Sequence, residues 1–564
     1  MSFRHACLVS LFALLASCAE LPGSRAEPFD VLITSGTVYD GSGGAPYVAD
    51  IAIRDERIVA IANTIDGTAV LRIDASGLAV APGFINMLSW APASLIEDGR
   101  SQGDIRQGVT LEVFGEGRSY GPLNETMKAA MKAQQVGIKF DISWTTLGEY
   151  LEYLVNRGIS PNVASFVGAT TLRVHEIGFV DRPPTLGELS AMRELTHQAM
   201  REGALGLGSS LIYAPAFYAR TEELIALAEV VGEYGGMYIS HMRSEGNRLL
   251  ESIDELIRIA REGEVAAEIY HLKMSGKNNW SKYDEVVAKV EQARAEGIAI
   301  SADMYTYTAA STGLDAAMPP WVQEGGYAAW VERLQDPVIR PKVAHAMSNP
   351  NDEWENLLRA AGPDNMLLVG FRNKSLRKYI GSTLAEVASL RGTSAIETAM
   401  DLVIEDGSRV QVVYFLMSEE NVRKQVALPW VSFASDAASM ATEGVFLEQS
   451  THPRAYGNFV RVLGRYVRDE KVLPLQMAIY KLTKLPASNL KLRHRGELIP
   501  GFFADVVIFD PSTVQDHATY DDPHRYATGV VHVFVNGEQV LRDGEHTGAL
   551  PGQVVRGPGW VGWR

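Results

Sequence analysis

The middle of the chain, residues 81–499, constrains the fold most, because short apolar runs alternate there with amphipathic helical stretches. Helical stretches such as residues 252–263 and 282–297 place apolar residues at i, i+3 and i+4, the spacing of helices that pack on one face. Strands and helices that alternate in this way form parallel sheets, since each parallel strand needs a crossover to reach the next. Eight apolar runs end near Leu88, Gly115, Val167, Leu207, His241, His271, Met304 and Asp436. Eight such units predict a (β/α)8 barrel.

A second pattern marks both ends of the chain. Residues 29–80 and 500–564 consist of short segments of alternating polarity, separated by Asn-Gly and Asp-Gly turns that are typical of antiparallel strands. We therefore expect one small β-sandwich assembled from both termini. The region of about 312–401 is too long for one crossover and is predicted to be an inserted subdomain near the barrel mouth. The expected fold class is α/β: a TIM-like (β/α)8 barrel over 81–499 with a β-sandwich domain and an insertion.

The N-terminus has the character of an export signal. A basic residue precedes the apolar run Ala6–Ala16, which is too short to span a bilayer but fits a secretory signal peptide. The letters "LASC" resemble a bacterial lipobox, so residues 1–17 are expected to be removed and Cys18 to be lipidated, with a linker over 18–28. In a Gram-negative cell, alanine after the cysteine favours the outer membrane, and the expected location is periplasmic and lipid-anchored. The alternative is an ordinary signal peptide with a chance cysteine.

The charge balance limits the partners of the chain. There are 52 lysines and arginines against 68 aspartates and glutamates, a formal net charge of −16. A negative field of this size repels nucleic acid and anionic lipid. We expect a small-molecule partner, no nucleic acid, and membrane contact only through the N-terminal lipid. The sequence does not determine the oligomeric state.

Three polar side chains terminate predicted barrel strands, at the end where the active sites of such barrels lie. His241, His271 and Asp436 each end an apolar run. Imidazoles on neighbouring strand ends can converge on one cation, and neutral imidazole is a good zinc ligand. A carboxylate on the closing strand can move protons as a general base and acid. The alternatives are hydrogen-bonded core histidines and, for Asp436, the cap of the following helix.

Several motifs occur in the order found in one known family. They are "FDVLITSGTVYDGSG", "ADIAIRDERIVAIA", "APGFI", "SHMRSEG", "YHLKMSG", "ASD", "HPRAYGNFVRVLGRYVRDE" and "GFFADVVIFDP". Over residues 29–563 the chain resembles the amidohydrolase superfamily, specifically the branch of N-acyl-D-amino-acid deacylases, or D-aminoacylases. The resemblance implies a zinc hydrolase of linear amides, in which His241 and His271 bind the metal and Asp436 is the catalytic base and acid.

The same resemblance implies a set of substrate-binding residues. In that branch a Tyr-x-Tyr-Thr-Ala-x-Ser segment and a His-Pro-Arg segment hold the substrate, and this chain has "YTYTAAS" and "HPR". Arg454 is expected to bind the α-carboxylate as a bidentate fork, with Tyr305 and Ser311 as further donors. Lys273, two residues past the second histidine, is expected to point the same way on an extended strand and to reach the mouth. The alternative for Arg454 is a surface ion pair.

The chain departs from the family pattern at the first barrel strand. Most relatives have Asp-x-His-x-His after Pro-Gly-Phe-Ile, and these imidazoles bind a second metal, whereas here Leu88 and Trp90 occupy their places. Trp90 is expected to cover that position with apolar surface and exclude water. The branch's Gly-Asn-Cys-Gly is replaced by Gly-Glu-Gly-Arg, which puts Glu116 beside the place of the cysteine. A carboxylate is an acceptable zinc ligand, so we expect one zinc ion held by Glu116, His241 and His271.

The predicted function is that of a metal-dependent amidohydrolase that cleaves a linear amide, with an N-acyl-D-amino acid as the favoured substrate. A dipeptidase and a lactone or cyclic-amide hydrolase stay open, because a fold does not determine a substrate. A further alternative for the function is an inactive, lipid-anchored binding protein. For Glu116 the alternative is an ion pair with Arg118 or another basic residue at the barrel mouth. Ligand type does not distinguish zinc from manganese or iron. Acyl-chain, side-chain and D or L preference are equally undetermined.

Overall fold

The computed structural model describes residues 27–350 and 352–563. The predicted signal peptide, Cys18 and most of the predicted linker lie outside the described residues. No helix within these ranges combines the length and the apolar character needed to cross a membrane.

The described residues form strands and helices that alternate through the middle of the chain. The strands are β1 (Phe29–Val38), β2 (Tyr47–Arg54), β3 (Arg57–Ala62), β4 (Ala69–Asp74), β5 (Ala79–Pro82), β6 (Phe84–Asn86), β7 (Val109–Phe114), β8 (Asn162–Ser165), β9 (Val167–Gly168), β10 (Gly206–Ser210), β11 (Met237–His241), β12 (Ala266–Ile269), β13 (Ile300–Met304), β14 (Ala309–Gly313), β15 (Met366–Gly370), β16 (Gln411–Phe415), β17 (Val431–Phe433), β18 (Val506–Phe509), β19 (Val530–Val535), β20 (Glu538–Arg542) and β21 (Glu545–His546).

The helices are α1 (Ser94–Glu97), α2 (Gln102–Ile105), α3 (Glu125–Gln134), α4 (Leu147–Arg157), α5 (Ala169–Glu176), α6 (Leu186–Arg201), α7 (Thr221–Glu233), α8 (Leu249–Glu262), α9 (Tyr283–Ala295), α10 (Tyr327–Gln335), α11 (Arg340–Ser348), α12 (Leu357–Ala361), α13 (Leu384–Arg391), α14 (Ala395–Asp406), α15 (Glu419–Ala427), α16 (Arg454–Arg461), α17 (Leu475–Leu482) and α18 (Lys484–Asn489). Short 3-10 turns lie at Ala216–Tyr218, Lys277–Lys282, Leu314–Ala317, Pro320–Gln323, Pro363–Asn365, Lys374–Tyr379, Gly444–Glu448 and Val561–Trp563, and α16 continues as a π-helix over Val462–Asp469.

Parallel strands form a closed barrel, which confirms the predicted α/β fold class. Around the barrel the order is β6, β7, the interrupted strand β8–β9, β10, β11, β12, β13 and β17. The backbone N–H of Asp436 donates to the carbonyl of Leu88 at 2.9 Å, and this bond joins the last strand to the first. Strands such as β7 and β11 are buried over their whole length, as parallel strands covered on both faces must be. Helix α8 buries one apolar face against the neighbouring elements. This face consists of Leu249, Ile253, Leu256 and Ile259, which recur at the predicted helical spacing.

The two ends of the chain share one sheet. Its order is β21-β20-β19-β18-β5-β1-β2-β3, with β4 paired to β1, and the two termini meet where β18 pairs antiparallel with β5. A bridge between Arg57 and Phe503 brings the far strand β3 back to the segment before β18. The sheet thereby folds over a core of its own, which includes Val31, Ile33, Ile51, Ile53, Val506, Ile508 and Phe534.

An inserted unit separates β13 from β17. Strand β16 pairs with both β14 and β15 to form a small antiparallel sheet, and helices α10 to α14 pack with it around a separate hydrophobic core. The unit is larger than the predicted span of 312–401, because the strands that complete its sheet lie at 309–313 and 411–415. An apolar run such as 411–415 does not indicate which strand it pairs with, so the sequence alone does not define the boundary of the inserted unit.

A buried polar network joins the terminal sheet to the barrel. Arg495 forms an ion pair with Asp505 and donates to the side-chain carbonyl of Asn536 at 2.9 Å. Asn536 in turn donates to Asn162 of barrel strand β8 at 2.8 Å. The side chains of Arg495 and Asp505 are 6% and 8% exposed, so each charge depends on its partner in place of water.

We predict that Asp505→Asn destabilises the protein by about 3–5 kcal/mol, because removing one partner of a buried ion pair leaves the other charge uncompensated. The matched control is Asp522→Asn, since the ion pair of Asp522 with Arg525 is exposed to solvent and its loss costs little. Thermal unfolding followed by circular dichroism compares both variants with the wild type. A melting temperature of Asp505→Asn equal to that of the control would contradict the role of this network.

Candidate active site

Glu116 lies in the loop after β7, between two glycines that the backbone requires. Gly115 and Gly117 have φ angles of 111° and 64°. A Cβ at Gly115 would lie 2.4 Å from the carbonyl oxygen of Phe166, and a Cβ at Gly117 would lie 2.5 Å from the Cβ of Ser210. The two glycines therefore allow a tight turn at the barrel mouth, and this turn brings the Glu116 carboxylate to the ends of β11 and β12.

The two predicted histidine ligands converge on this carboxylate. His241 Nδ1 lies 3.0 Å and His271 Nε2 lies 3.3 Å from the same oxygen, Oε1 of Glu116. The two imidazole centroids are 4.6 Å apart and the ring planes cross at 84°. One ligand atom from each of the three residues lies within 4.8 Å of the others, and all three residues are buried. The structure thus brings Glu116, His241 and His271 together.

The charges of this cluster fit a divalent cation. Burial raises the pKa of the Glu116 carboxyl, but the hydrogen bonds and charges of His241 and His271 outweigh it and hold that pKa well below its usual value. Burial and the charge of Lys273 act to lower the pKa of His271. Glu245 and Glu116 raise it by more, and the resulting pKa of His271 is about 10. The carboxylates therefore favour positive charge on the His271 imidazole, and a metal ion that binds such a group displaces its proton. One carboxylate and two imidazoles form a known catalytic zinc set that leaves a position for water.

Asp436 lies at the end of the closing strand, beside the altered first strand. Its Oδ1 accepts a hydrogen bond from the indole Nε1–H of Trp90 at 3.0 Å, and its Oδ2 lies 2.8 Å from Nη1 of Arg454. Leu88 is fully buried in the core, whereas Trp90 is 43% exposed. The expected covering of that position by apolar surface stays a prediction, and the structure adds a polar contact that was not expected, the indole N–H bond to the carboxylate.

Arg454 and Tyr305 form the part of the site that faces Asp436. The Arg454 guanidinium carbon lies 4.4 Å from the centroid of the Tyr305 ring, and that ring is 6.3 Å from the ring of His271. Arg454 is 3% exposed, which excludes a surface ion pair. Nη1 of Arg454 pairs with Asp436. The Tyr305 hydroxyl and the Nε group of Arg454 are buried and make no hydrogen bond of normal geometry with the described residues. These donors are therefore available to a ligand.

His452 holds the start of helix α16 in place. Its Nε2–H donates to the carbonyl of Ala309 at 2.9 Å, and its Nδ1 accepts the backbone N–H of Arg454 at 3.0 Å. Burial and the charge of Arg454 lower the pKa of His452 well below its usual value, so the imidazole is neutral, as this pattern requires. The "HPR" segment thus sets the position of Arg454 through the histidine that precedes it.

The remaining predicted residues differ in their distance from the cluster. Lys273 is buried, and its Nζ lies 2.7 Å from His271 Nδ1 and 2.7 Å from Glu245. Its backbone is not extended as predicted, because His271 has a φ of 35°. Ser311 lies on β14 opposite Val413 in the inserted sheet, and among the described residues no hydrogen bond joins it to the other site residues.

Glu245 is a site residue that the sequence reasoning missed. Its Oε1 lies 3.0 Å from His271 Nδ1, and its Oε2 lies 3.5 Å from His241 Nε2. The signal was present, since Glu245 lies four residues after His241 within "SHMRSEG". Its position in a loop gave no periodicity to follow. Asp303 was also missed, although its carboxylate accepts the backbone N–H of His271 at 2.8 Å.

Comparisons with known proteins agree with this geometry. Residues 142–541 match the model of the Amidohydrolase family. D-aminoacylase of Alcaligenes xylosoxydans xylosoxydans is 33% identical over 94% of this chain and 98% of its own. A structure of N-acyl-D-glutamate deacylase from Bordetella bronchiseptica, complexed with zinc and a phosphonate inhibitor that mimics the tetrahedral intermediate, is 28% identical and has a TM-score of 0.77 over 94% of this chain and 100% of the other.

A further solved structure is that of D-aminoacylase, described by the role of its binuclear metal centre, with one-metal activation and second-metal attenuation. It is 32% identical to this chain, with a TM-score of 0.79 over 94% of this chain and 100% of the other. The chain thus belongs to the amidohydrolase family, in the branch of D-aminoacylases and N-acyl-D-amino-acid deacylases, and is a hydrolase of carbon–nitrogen bonds.

Proposed function

We propose that this enzyme hydrolyses N-acyl-D-amino acids to a carboxylic acid and a free D-amino acid, with one zinc ion as cofactor. The observation that carries the proposal is the convergence of Glu116, His241 and His271, with Tyr305 between this cluster and the pair of Asp436 and Arg454. D-aminoacylase and N-acyl-D-glutamate deacylase, which match nearly the whole chain, support the substrate class.

Glu116, His241 and His271 are the residues that would hold the cofactor. When bound, a zinc ion polarises a carbonyl group and lowers the pKa of water to about 7. A single ion is proposed because Leu88 and Trp90, at the places of the missing histidines, offer no metal ligand. The zinc in the related N-acyl-D-glutamate deacylase supports this choice of metal.

Asp436 is the proposed general base and acid. One of its carboxylate oxygens takes a proton from the attacking water and returns it to the amide nitrogen as the carbon–nitrogen bond breaks. The Trp90 N–H and the Arg454 guanidinium hold the two oxygens from different sides. These contacts fix the orientation of the Asp436 carboxylate.

Arg454 is the proposed binding group for the substrate carboxylate. Its Nε is a buried donor without a well-aligned acceptor among the described residues, while Nη1 pairs with Asp436. A planar guanidinium can bind a carboxylate through two parallel hydrogen bonds. The Tyr305 hydroxyl, also a buried donor, is proposed to stabilise the oxygen of the former carbonyl group. Lys273 is engaged with Glu245 and His271, so we assign it no direct contact with the substrate.

The competing functions differ in what they require of Arg454. A lactone or cyclic-amide substrate lacks the α-carboxylate that a buried guanidinium in this position would bind. A dipeptide has its carboxylate at the same distance from the scissile bond as an N-acyl amino acid and differs by an ammonium group on the acyl side. An inactive binding protein does not need a buried set of metal ligands beside Asp436. We also propose that the chain is exported and lipid-anchored at Cys18, so that the reaction takes place in the periplasm.

A substrate panel tests the proposed function. The zinc-loaded protein should hydrolyse N-acetyl-D-amino acids, with kcat/KM for the L-enantiomers lower by about 100-fold or more, because the fixed carboxylate site orients only one enantiomer toward the reacting groups. The matched control is the N-acetylamine with the same side chain and no carboxylate, which should be a poor substrate. Faster turnover of a lactone, a cyclic amide or a dipeptide would contradict the assignment.

A variant of the closing strand tests the proton transfer. Asp436→Asn should lower kcat by about 10²–10⁴-fold, because the amide cannot accept and return the proton. Zinc content, measured by inductively coupled plasma mass spectrometry, should match that of the wild type, since the three proposed ligands are untouched. Near-normal turnover in this variant, at equal zinc content, would remove Asp436 from the mechanism.

A further inference from the structure

We propose that Glu245 is a positioning residue that holds His271 in its metal-binding tautomer and shields the metal site from the charge of Lys273. This inference rests on the metal site assigned under the proposed function. Glu245 would contact neither the substrate nor the metal ion, and its effect passes through the imidazole. It therefore differs from the three proposed ligands in kind.

The two imidazoles lie between two carboxylates. His271 turns Nε2 toward Glu116 at 3.3 Å and Nδ1 toward Glu245 at 3.0 Å. His241 has the reverse arrangement, with Nδ1 at 3.0 Å from Glu116 and Nε2 at 3.5 Å from Glu245. Glu245 thus lies across both rings from the proposed ligand Glu116. Carboxylates that accept the second N–H of a ligating histidine fix the ring and its tautomer in metal sites generally.

Lys273 competes with Glu245 for the same ring nitrogen. Its Nζ lies 2.7 Å from His271 Nδ1 and 2.7 Å from Glu245 Oε1. If Lys273 donates to Nδ1, a neutral imidazole must carry its proton on Nε2, and the nitrogen that faces Glu116 then has no lone pair for a metal. If Nδ1–H donates to Glu245, Nε2 is free to bind. The carboxylate of Glu245 therefore selects the tautomer that can ligate.

Burial gives the same carboxylate an electrostatic role. The side chains of Lys273 and Glu245 are 5% and 6% exposed, so water screens the ammonium charge weakly. Without Glu245, that charge would repel a cation bound by His271. The position of Glu245 is well fixed, since its backbone N–H donates to Glu355 at 2.5 Å and its carbonyl accepts the N–H of Ser275 at 2.8 Å. Both effects of Glu245 favour metal binding.

Zinc affinity tests this inference directly. Apoprotein is titrated with Zn²⁺ against a chromophoric chelator for the wild type, Glu245→Gln, Lys273→Met and the double variant. Glu245→Gln should bind zinc about 10–100-fold more weakly, as expected for the loss of a carboxylate behind a ligating histidine. The double variant should recover most of that loss, because no ammonium then competes for Nδ1 or repels the ion.

A matched control separates this role from the loss of any buried carboxylate. Glu255 lies in helix α8, its side chain is 13% exposed, and it pairs with Arg243 at 2.8 Å. Glu255→Gln should leave zinc affinity unchanged. Should Glu245→Gln fail to fold, Lys273→Met alone keeps the test, since removing the competing ammonium should leave zinc binding as tight as in the wild type or tighter.

The outcomes distinguish this inference from the proposed function. Wild-type protein that binds no zinc would overturn the metal site itself. Tight binding by the wild type and equal affinity of Glu245→Gln would overturn only the role of Glu245. A weakened Glu245→Gln variant that Lys273→Met does not restore, or a Lys273→Met variant that binds zinc much more weakly than the wild type, would overturn the competition at Nδ1.

Discussion

The site depends on the parallel pairing of β11 with β12. The register that pairs Ser240 with Ile269 places the residues that follow, His241 and Tyr270–His271, at the same edge of the barrel. Neighbouring strands lie about 4.8 Å apart, and the imidazole centroids are separated by 4.6 Å. A shift of this register by one residue would turn one imidazole to the opposite face of its strand. The closed barrel fixes the register and thereby the distance between the two rings.

The altered first strand gives the site an asymmetric design. Leu88 belongs to the core, and Trp90 donates its indole N–H to Asp436. In place of a second set of metal ligands, the chain thus has a hydrogen bond to the proposed base. Positive charge comes from two places in the site, Arg454 and the proposed cation, and Tyr305 lies between them. A substrate with a carboxylate at one end and an amide at the other matches this distribution of charge.

Much of this arrangement could be predicted from the sequence. Buried parallel strands are continuous apolar runs in the sequence, so the strand ends at His241, His271 and Asp436 could be recognised. The structure brings these residues to the same end of the barrel. Contacts made by loops were less accessible. Glu245 lies in a loop whose backbone N–H donates to the Glu355 carboxylate, and the chain changes direction before Lys273 because His271 adopts a left-handed backbone. The predicted length of the inserted unit was too short because β14 pairs with β16 across about a hundred residues of sequence, and no local pattern indicates so distant a pairing.

The central claim is that one ion is bound by a carboxylate and two imidazoles on three different strand ends. Anomalous diffraction at the zinc absorption edge, from crystals of zinc-loaded protein, tests it most directly. The account predicts one strong peak within bonding distance of Glu116, His241 and His271. It is contradicted by a peak away from these side chains, or by a second peak of similar height between Trp90 and Asp436.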